Sequence, residues 1–130
     1  MAMIGVGIDL VEIERVALLL RRKGDHAMRR LLTEAERAYV ESRGHPERHF
    51  AARFAAKEAT YKALQSLPGA RAIGWRDIEV ISGDMGRPVL ALHGVARELA
   101  EAAGGITLHV SLTHTEQTAG AVVMAEGGER

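Results

Sequence analysis

The chain contains no cysteine, only three prolines and only five aromatic side chains, and its 17 Lys and Arg are balanced by 17 Asp and Glu. Without thiols, nucleophilic cysteine, disulfide exchange and cysteine–zinc sites are excluded. Folding needs none of them, because 130 residues, 47% of them apolar, suffice to bury a core. Two complete domains would be cramped in that length, so a single domain over residues 1–130 is expected. No aliphatic run near the start approaches a membrane span. The longest there is Val16 to Leu20, and Asp9, Glu12 and Glu14 are incompatible with a signal peptide. The expected address is the cytoplasm. The few aromatics are not grouped between basic residues as a stacking platform, which argues against a general nucleic-acid binder.

The zero net charge conceals an asymmetry. Residues 1–65 carry twelve basic and nine acidic side chains, whereas residues 66–130 carry five and eight. The excess lies between Arg15 and Lys62, where twelve basic residues face six acidic ones. Such a stretch presents a positive surface to an acidic protein, a phosphate-rich ligand or a nucleic acid. There is no internal repeat, low-complexity tract or long linker to separate it from the rest.

Residues 3–13 read as a strand. Ile4, Val6, Ile8 and Leu10 alternate onto one face, and Gly5, Gly7 and Asp9 onto the other, which sets a lone carboxylate beside backbone that a ligand can approach closely. A basic amphipathic helix follows from about Glu14 to Lys23. Thr33 and Glu36 form a capping-box pattern opening a second helix that stops at Gly44. Pro46 suits the first turn of a longer helix running to about Leu67 and closed by Pro68-Gly69. On its wheel Phe50, Phe54, Tyr61 and Leu64 make the buried stripe, with Glu58 and Lys62 at the margin, four residues apart. Beyond a short stretch between Leu67 and Arg76, rich in Ala and Gly, come strands at 77–82 and 89–93, a helix at 95–103, and strands at 106–113 and 119–126. This order predicts an α+β fold, a mainly antiparallel sheet packed on one face by helices.

Generic motifs mostly fail. Gly5-Val6-Gly7 begins like a dinucleotide loop, but the third glycine would fall at Leu10, and no Walker pattern occurs. His45 and His49 stand four apart at a helix start without the HExxH order, so a solvated helix end competes with a metal site there. Asp9 with Glu58 and Lys62 is more informative. Two carboxylates from different elements suit Mg²⁺ when water and a substrate phosphate complete its octahedron, and the lysine suits a phosphate oxygen. By spacing alone, Glu58 and Lys62 read more readily as a surface i, i+4 ion pair of a few tenths of a kcal/mol.

Three segments carry a family resemblance: 5–15 (GVGIDLVEIER), 53–64 (RFAAKEATYKAL) and 110–114 (VSLTH). Together they resemble the holo-[acyl-carrier-protein] synthases, the short branch of the 4′-phosphopantetheinyl transferase superfamily. A G-x-D opening paired with F-x-x-K-E-x-x-x-K about fifty residues later is specific to that superfamily, and the resemblance spans nearly the whole chain. It implies the family's fold and a Mg²⁺-dependent transfer of the phosphopantetheine arm of coenzyme A to a serine hydroxyl of apo acyl carrier protein. The second product is adenosine 3′,5′-bisphosphate.

On this resemblance Asp9 and Glu58 hold Mg²⁺ against the pyrophosphate, and Glu58, directly or through a bound water, helps remove the serine proton. Lys62 neutralises charge on the phosphate under attack or on the leaving group. Arg53, Lys57 and His114 belong to the coenzyme A site, Arg53 as a bidentate phosphate contact. Lys57 falls near the middle of the apolar stripe, so its ammonium needs either a phosphate or a carboxylate. Arg53 reads also as a surface charge, and His114 as a hydrogen-bonded residue at a strand end. Ser111 and Thr113 read as cleft polar groups or as the solvent face of a strand, and Gly86-Arg87-Pro88 as the turn near the adenine or a plain hairpin. Arg15, Leu19 and Arg22 share one side of the first helix, a positive face with an apolar centre that suits an acidic carrier-protein helix. Family members of this length assemble as threefold trimers with the coenzyme between neighbours, which implies a homotrimer. Two rival readings remain: a metal-assisted hydrolase of nucleotide pyrophosphates and a non-catalytic carrier-protein-binding module.

Overall fold

The computed structural model describes residues 2–128. Strand β1 (Met3–Glu12) leads into helix α1 (Ile13–Leu31), and α2 (Glu34–Glu41) and α3 (Pro46–Ala63) follow. After short 3₁₀ turns come β2 (Ile78–Ser82), β3 (Pro88–Leu92), α4 (Gly94–Ala102), β4 (Ile106–His114) and β5 (Thr118–Gly127). The strands form two antiparallel sheets, one ordered β1-β5-β4 and one the β2–β3 hairpin. This is the expected α+β arrangement. Among the described residues no helix is long and apolar enough to cross a membrane.

Helix α3 is the axis of the molecule. Its buried residues are mostly small: Ala51, Ala55, Ala56, Ala59 and Ala63 all lie inside, with Phe50 and, just past the helix end, Leu64. Phe54 and Tyr61, expected in the buried stripe, are only half-buried. The difference has a simple cause. Alanine lets a helix approach its neighbours on several sides at once, so α3 is enclosed rather than laid on one face. One core cluster lies between it and the three-stranded sheet, and a second joins its start to Val16, Met28, Leu32 and Val40 of the preceding helices and their connection.

Gly5 and Gly7 allow the closest of these approaches. A Cβ at either position would drive into the carbonyl of Ala63 or Ala59, so the glycines seat α3 directly on β1. The close approach expected of a ligand is thus made by a helix instead. It brings the same side of β1, including Asp9, against the helix that bears Glu58 and Lys62. The apolar residues Val6, Ile8 and Leu10 then fall on the opposite face and are exposed, Leu10 by 71%.

Two helix ends differ from expectation. Lys23 leaves helical geometry (φ −142°, ψ 39°) just before Gly24, but helix resumes to Leu31 because Ala27 and Met28 continue the buried side. Helix α3 stops at Ala63, where Leu64 N bonds back to Thr60 and Tyr61 carbonyls. Pro68 disfavours helix at the residue before it, and Gly69 at φ 86° turns the chain. The Thr33 capping box forms as expected, with Thr33 N donating to Glu36 Oε1 (2.9 Å) and Glu36 N to Thr33 Oγ1 (3.2 Å).

Candidate active site

Asp9, Glu58 and Lys62 converge. Lys62 Nζ donates to Asp9 Oδ1 at 3.2 Å and to the Ile8 carbonyl at 2.9 Å. The Asp9 side chain is 16% exposed and that of Lys62 51%. Glu58, one turn before Lys62, is half-buried. Burial, and then the nearby Asp9 charge, raise its carboxyl above the ordinary value, with Lys62 pulling the other way. Asp9 and Glu58 line one cavity of about 430 Å³, whose walls include Phe50, Phe54, Arg15 and Leu19. A second cavity of about 250 Å³ opens on the other side of Glu58 and is lined by Tyr61, Ile73, Gly74, Trp75 and Ile78.

This donor set fits a hard divalent cation. Two carboxylates repel one another across the cavity edge, and a cation between them relieves that repulsion. Among the described residues no group of three or more His, Asp or Glu gathers to hold a metal. A cation at Asp9 and Glu58 would therefore take its other oxygens from water and ligand, as Mg²⁺ does at phosphate sites.

Lys57 has a different fate from the one expected of a coenzyme contact. It is wholly buried, and its ammonium pairs with Glu36 Oε1 (2.6 Å) and donates to the carbonyls of Trp75 (2.9 Å) and Ile78 (2.5 Å). Three acceptors match its three protons, leaving none for a ligand. Burial holds its pKa below the usual lysine value, against the pull of Glu36. The carboxylate alternative is legible in the sequence, but its identity is not, because the capping-box spacing already accounts for Glu36. Its other oxygen accepts from Val80 N at 2.7 Å, so one buried carboxylate ties α2, α3 and β2 together.

Arg53 is also buried, 5% exposed, with its guanidinium carbon 4.1 Å from the centre of the Tyr39 ring. Arg43 stands 4.6 Å from the same ring, and His49 meets it edge-on at 5.6 Å. Among the described residues Arg53 Nε has no hydrogen-bond partner. Burial, then Arg53 and Arg43, push the His49 pKa down, so this cluster repels any further positive charge. Gly86, Arg87 and Pro88 lie at the turn of the β2–β3 hairpin, with Gly86 and Arg87 exposed.

The remaining expected residues fall elsewhere. Ser111 and Thr113 are exposed on the sheet face turned away from α3, opposite Val122 and Gly120, and His114 is exposed at the end of β4. Within one chain they do not meet Glu58. Arg15, Leu19 and Arg22 are exposed on α1, and the first two border the cavity that holds Asp9 and Glu58. Ile73 and Trp75, which line the second cavity with Glu58, have no functional reading in the sequence. The sequence signal was slight: the chain's sole tryptophan, in a stretch without periodicity.

Comparison with known proteins identifies the family. The family model described as the 4′-phosphopantetheinyl transferase superfamily matches residues 5–121. The holo-[acyl-carrier-protein] synthase of Koribacter versatilis (strain Ellin345) is 44% identical over 124 residues, 95% of this chain and 98% of that protein. That of Edwardsiella ictaluri (strain 93-146) is 43% identical over 98% of this chain and all of its own. Among solved structures, a Chronobacterium ammoniagenes ACPS–CoA complex superposes with a TM-score of 0.83 at 33% identity, covering 99% of this chain and 100% of that one. A holo-(acyl-carrier-protein) synthase from Bacillus anthracis str. Ames, in complex with CoA (3′,5′-ADP), does so with a TM-score of 0.79 at 32% identity, over 98% and 100%. The chain belongs to the 4′-phosphopantetheinyl transferase superfamily and, within it, to the holo-[acyl-carrier-protein] synthase family.

Proposed function

We propose that this chain, acting as one unit over residues 1–130 in the cytoplasm, transfers 4′-phosphopantetheine from coenzyme A to a serine of apo acyl carrier protein. The observation that carries the proposal is that Asp9 and Glu58 line one cavity with Arg15 and Leu19 of α1 at its rim, and that Lys62 is hydrogen-bonded to Asp9. A hydrolase of nucleotide pyrophosphates would need the acid pair but not that rim.

Asp9 and Glu58 would hold Mg²⁺. The bound ion supplies Lewis acidity and neutralises charge on the diphosphate. Lys62, tethered to Asp9, stands ready to transfer its hydrogen bond to a phosphate oxygen. Glu58, with its raised carboxyl, is suited to accept the serine proton directly or through a water. The serine oxygen bonds to the phosphorus that bears the pantetheine arm. The bond from that phosphorus to the bridging oxygen breaks, and adenosine 3′,5′-bisphosphate leaves with the bonding pair. Arg53 and Arg43, gathered at Tyr39, suit a coenzyme phosphate, and the turn Gly86-Arg87-Pro88 suits the adenine. Arg15, Leu19 and Arg22 receive the acidic carrier.

The exposed apolar face of β1 supports a threefold assembly. Val6, Ile8 and Leu10 give each copy a sheet face to bury against another, and Ser111 and Thr113 stand on that same face. A neighbour would then contribute Ser111, Thr113 and His114 to a site that one chain leaves incomplete. Sedimentation at a mass of three chains is the expected result.

The transfer is tested by mass. After incubation with coenzyme A, Mg²⁺ and an apo acyl carrier protein, the carrier should gain one phosphopantetheinyl group. Coenzyme A cleavage without that gain would mark a hydrolase, and neither change would mark a binding module.

A further inference from the structure

We infer that His109 and Glu126 form a proton-operated clasp in the face through which copies of this chain assemble, so that assembly takes up protons and tightens as the medium is acidified through the range in which histidine charges. The inference rests on the threefold reading above and adds its regulation.

One face of the three-stranded sheet is packed by α3 and the other is open. The open face is apolar or hydroxylated along most of its extent, with Val6, Ile8 and Leu10 on β1, Val122 and Met124 on β5, and Ser111 and Thr113 on β4. The ionisable side chains of these strands are Asp9, Glu12, His109, His114 and Glu126. Asp9 turns towards α3 and Lys62, and Glu12 and His114 stand at one end of the sheet, opposite Thr118 and Ala119. That leaves His109 and Glu126 as the ionisable groups within the open face, and they meet each other there.

His109 is in register with Met124 and Glu126 with Thr107, so the two are diagonal neighbours across β4 and β5. His109 Nε2 lies 2.6 Å from Glu126 Oε1, with the His109 side chain 55% exposed and that of Glu126 27%. On β1 Met3 stands opposite Glu126 and Val6 opposite Met124, so the neighbouring strand brings no charge to the pair. A second copy that covers Val6 and Met124 therefore covers a charged pair beside them.

The direction of the pH effect follows from net charge. With a neutral imidazole the pair carries one negative charge, and with a protonated imidazole it carries none. Covering it removes water, and a lone buried charge costs more than a hydrogen-bonded ion pair. Three negative pairs around one axis would also repel each other. The assembled state thus holds the imidazole proton more tightly than the separate chain does, which means that assembly strengthens as pH falls. Ser111 and Thr113 share a strand with His109, so the clasp governs whether a neighbour can complete the site.

Sedimentation of the intact protein between about pH 8 and pH 6 reads the clasp, with mass rather than turnover as the measure because Glu58 also titrates. The dissociation constant of the three-chain species should fall by about tenfold or more towards the acid end. Where dilution does not separate the copies, urea midpoints at a high and a low protein concentration give the same comparison. A three-chain mass whose dissociation is constant over this range, or that loosens with acid, overturns the inference alone. A single-chain mass throughout overturns the threefold reading and the inference with it. His109→Gln keeps a donor for Glu126 and cannot take up the proton, so the pH dependence should vanish. Glu126→Gln should reverse its sign, because a protonated His109 would then be covered without a partner charge. Weaker assembly in both variants with the parent's pH dependence retained would make the pair merely structural and overturns the inference.

Discussion

Helix α3 carries two lysine–carboxylate pairs five residues apart, Lys57 with Glu36 and Lys62 with Asp9, and they do opposite work. The first is sealed, both side chains at 0% exposure, with every lysine proton matched by a protein acceptor. The second sits at a cavity edge, where the lysine is half in solvent and the aspartate shares its field with Glu58. Lysine and carboxylate are the same groups in both. What separates a strut from a proposed reactive centre is whether water and ligand can reach the charges, since a buried pair cannot exchange partners without leaving an uncompensated charge. The comparison predicts that damage to the first pair appears in stability and damage to the second in chemistry.

The largest effect expected is on the sealed pair. Lys57→Ala leaves Glu36 buried with its cation gone and should cost about 3–5 kcal/mol of folding stability, read from a urea titration. Loss of transfer at full stability would instead make Lys57 a ligand contact and break the contrast. Next comes Glu58→Gln, which keeps shape and removes the charge. Transfer should fall on the order of 10²–10³-fold with the urea midpoint little changed or raised, because a half-buried carboxylate beside Asp9 is an electrostatic burden in the unliganded protein. A variant that instead loses stability in proportion to activity would place Glu58 with the struts.

Much of this contrast was legible in the amino-acid order, and the illegible part has a physical reason. The capping box, the strand alternation of β1 and the i, i+4 relation of Glu58 and Lys62 are local, so short patterns reveal them. The enclosure of α3 is not local. It depends on Gly5 and Gly7 meeting Ala63 and Ala59 across more than fifty residues, and small residues give no amphipathic signal. The partner of Lys57 was hidden for a similar reason, since Glu36 satisfies its own helix start and reaches another element with the same carboxylate. Ser111 and Thr113 read as cleft residues from their alternation, but in one chain they stand on the sheet face turned away from the helix that carries Glu58.

A smaller effect is expected at the rim. Arg15 lies 3.9 Å from Glu12 with 82% of its side chain exposed, so its own ion pair contributes little to stability. Arg15→Glu should weaken carrier-protein affinity about tenfold, mainly through the association rate, and the loss should shrink as salt is raised. Coenzyme A binding should be unaffected. If both ligands weakened equally, the basic face would belong to the coenzyme and not to the carrier.

The smallest effect tests the outer wall of the sealed pair. Glu79 accepts from Thr33 Oγ1 at 2.7 Å and faces His93 Nε2 at 2.9 Å, and its charge also supports the Lys57 ammonium. Burial alone would raise its pKa, but the hydrogen bonds from Thr33 and His93 prevail and hold it below the ordinary value of 4.5. A carboxyl with a depressed folded-state pKa binds protons more readily in the unfolded chain. Its contribution is therefore complete above 4.5 and is lost as pH falls through the lower, folded-state value. Glu79→Gln should accordingly destabilise the protein at neutral pH, and the gap from the parent should close as the medium is acidified below 4.5, measured as paired urea midpoints. A gap that stayed constant across that range would mean that Glu79 acts by shape and hydrogen bonding alone, and that the buried Lys57–Glu36 pair needs no charge outside itself.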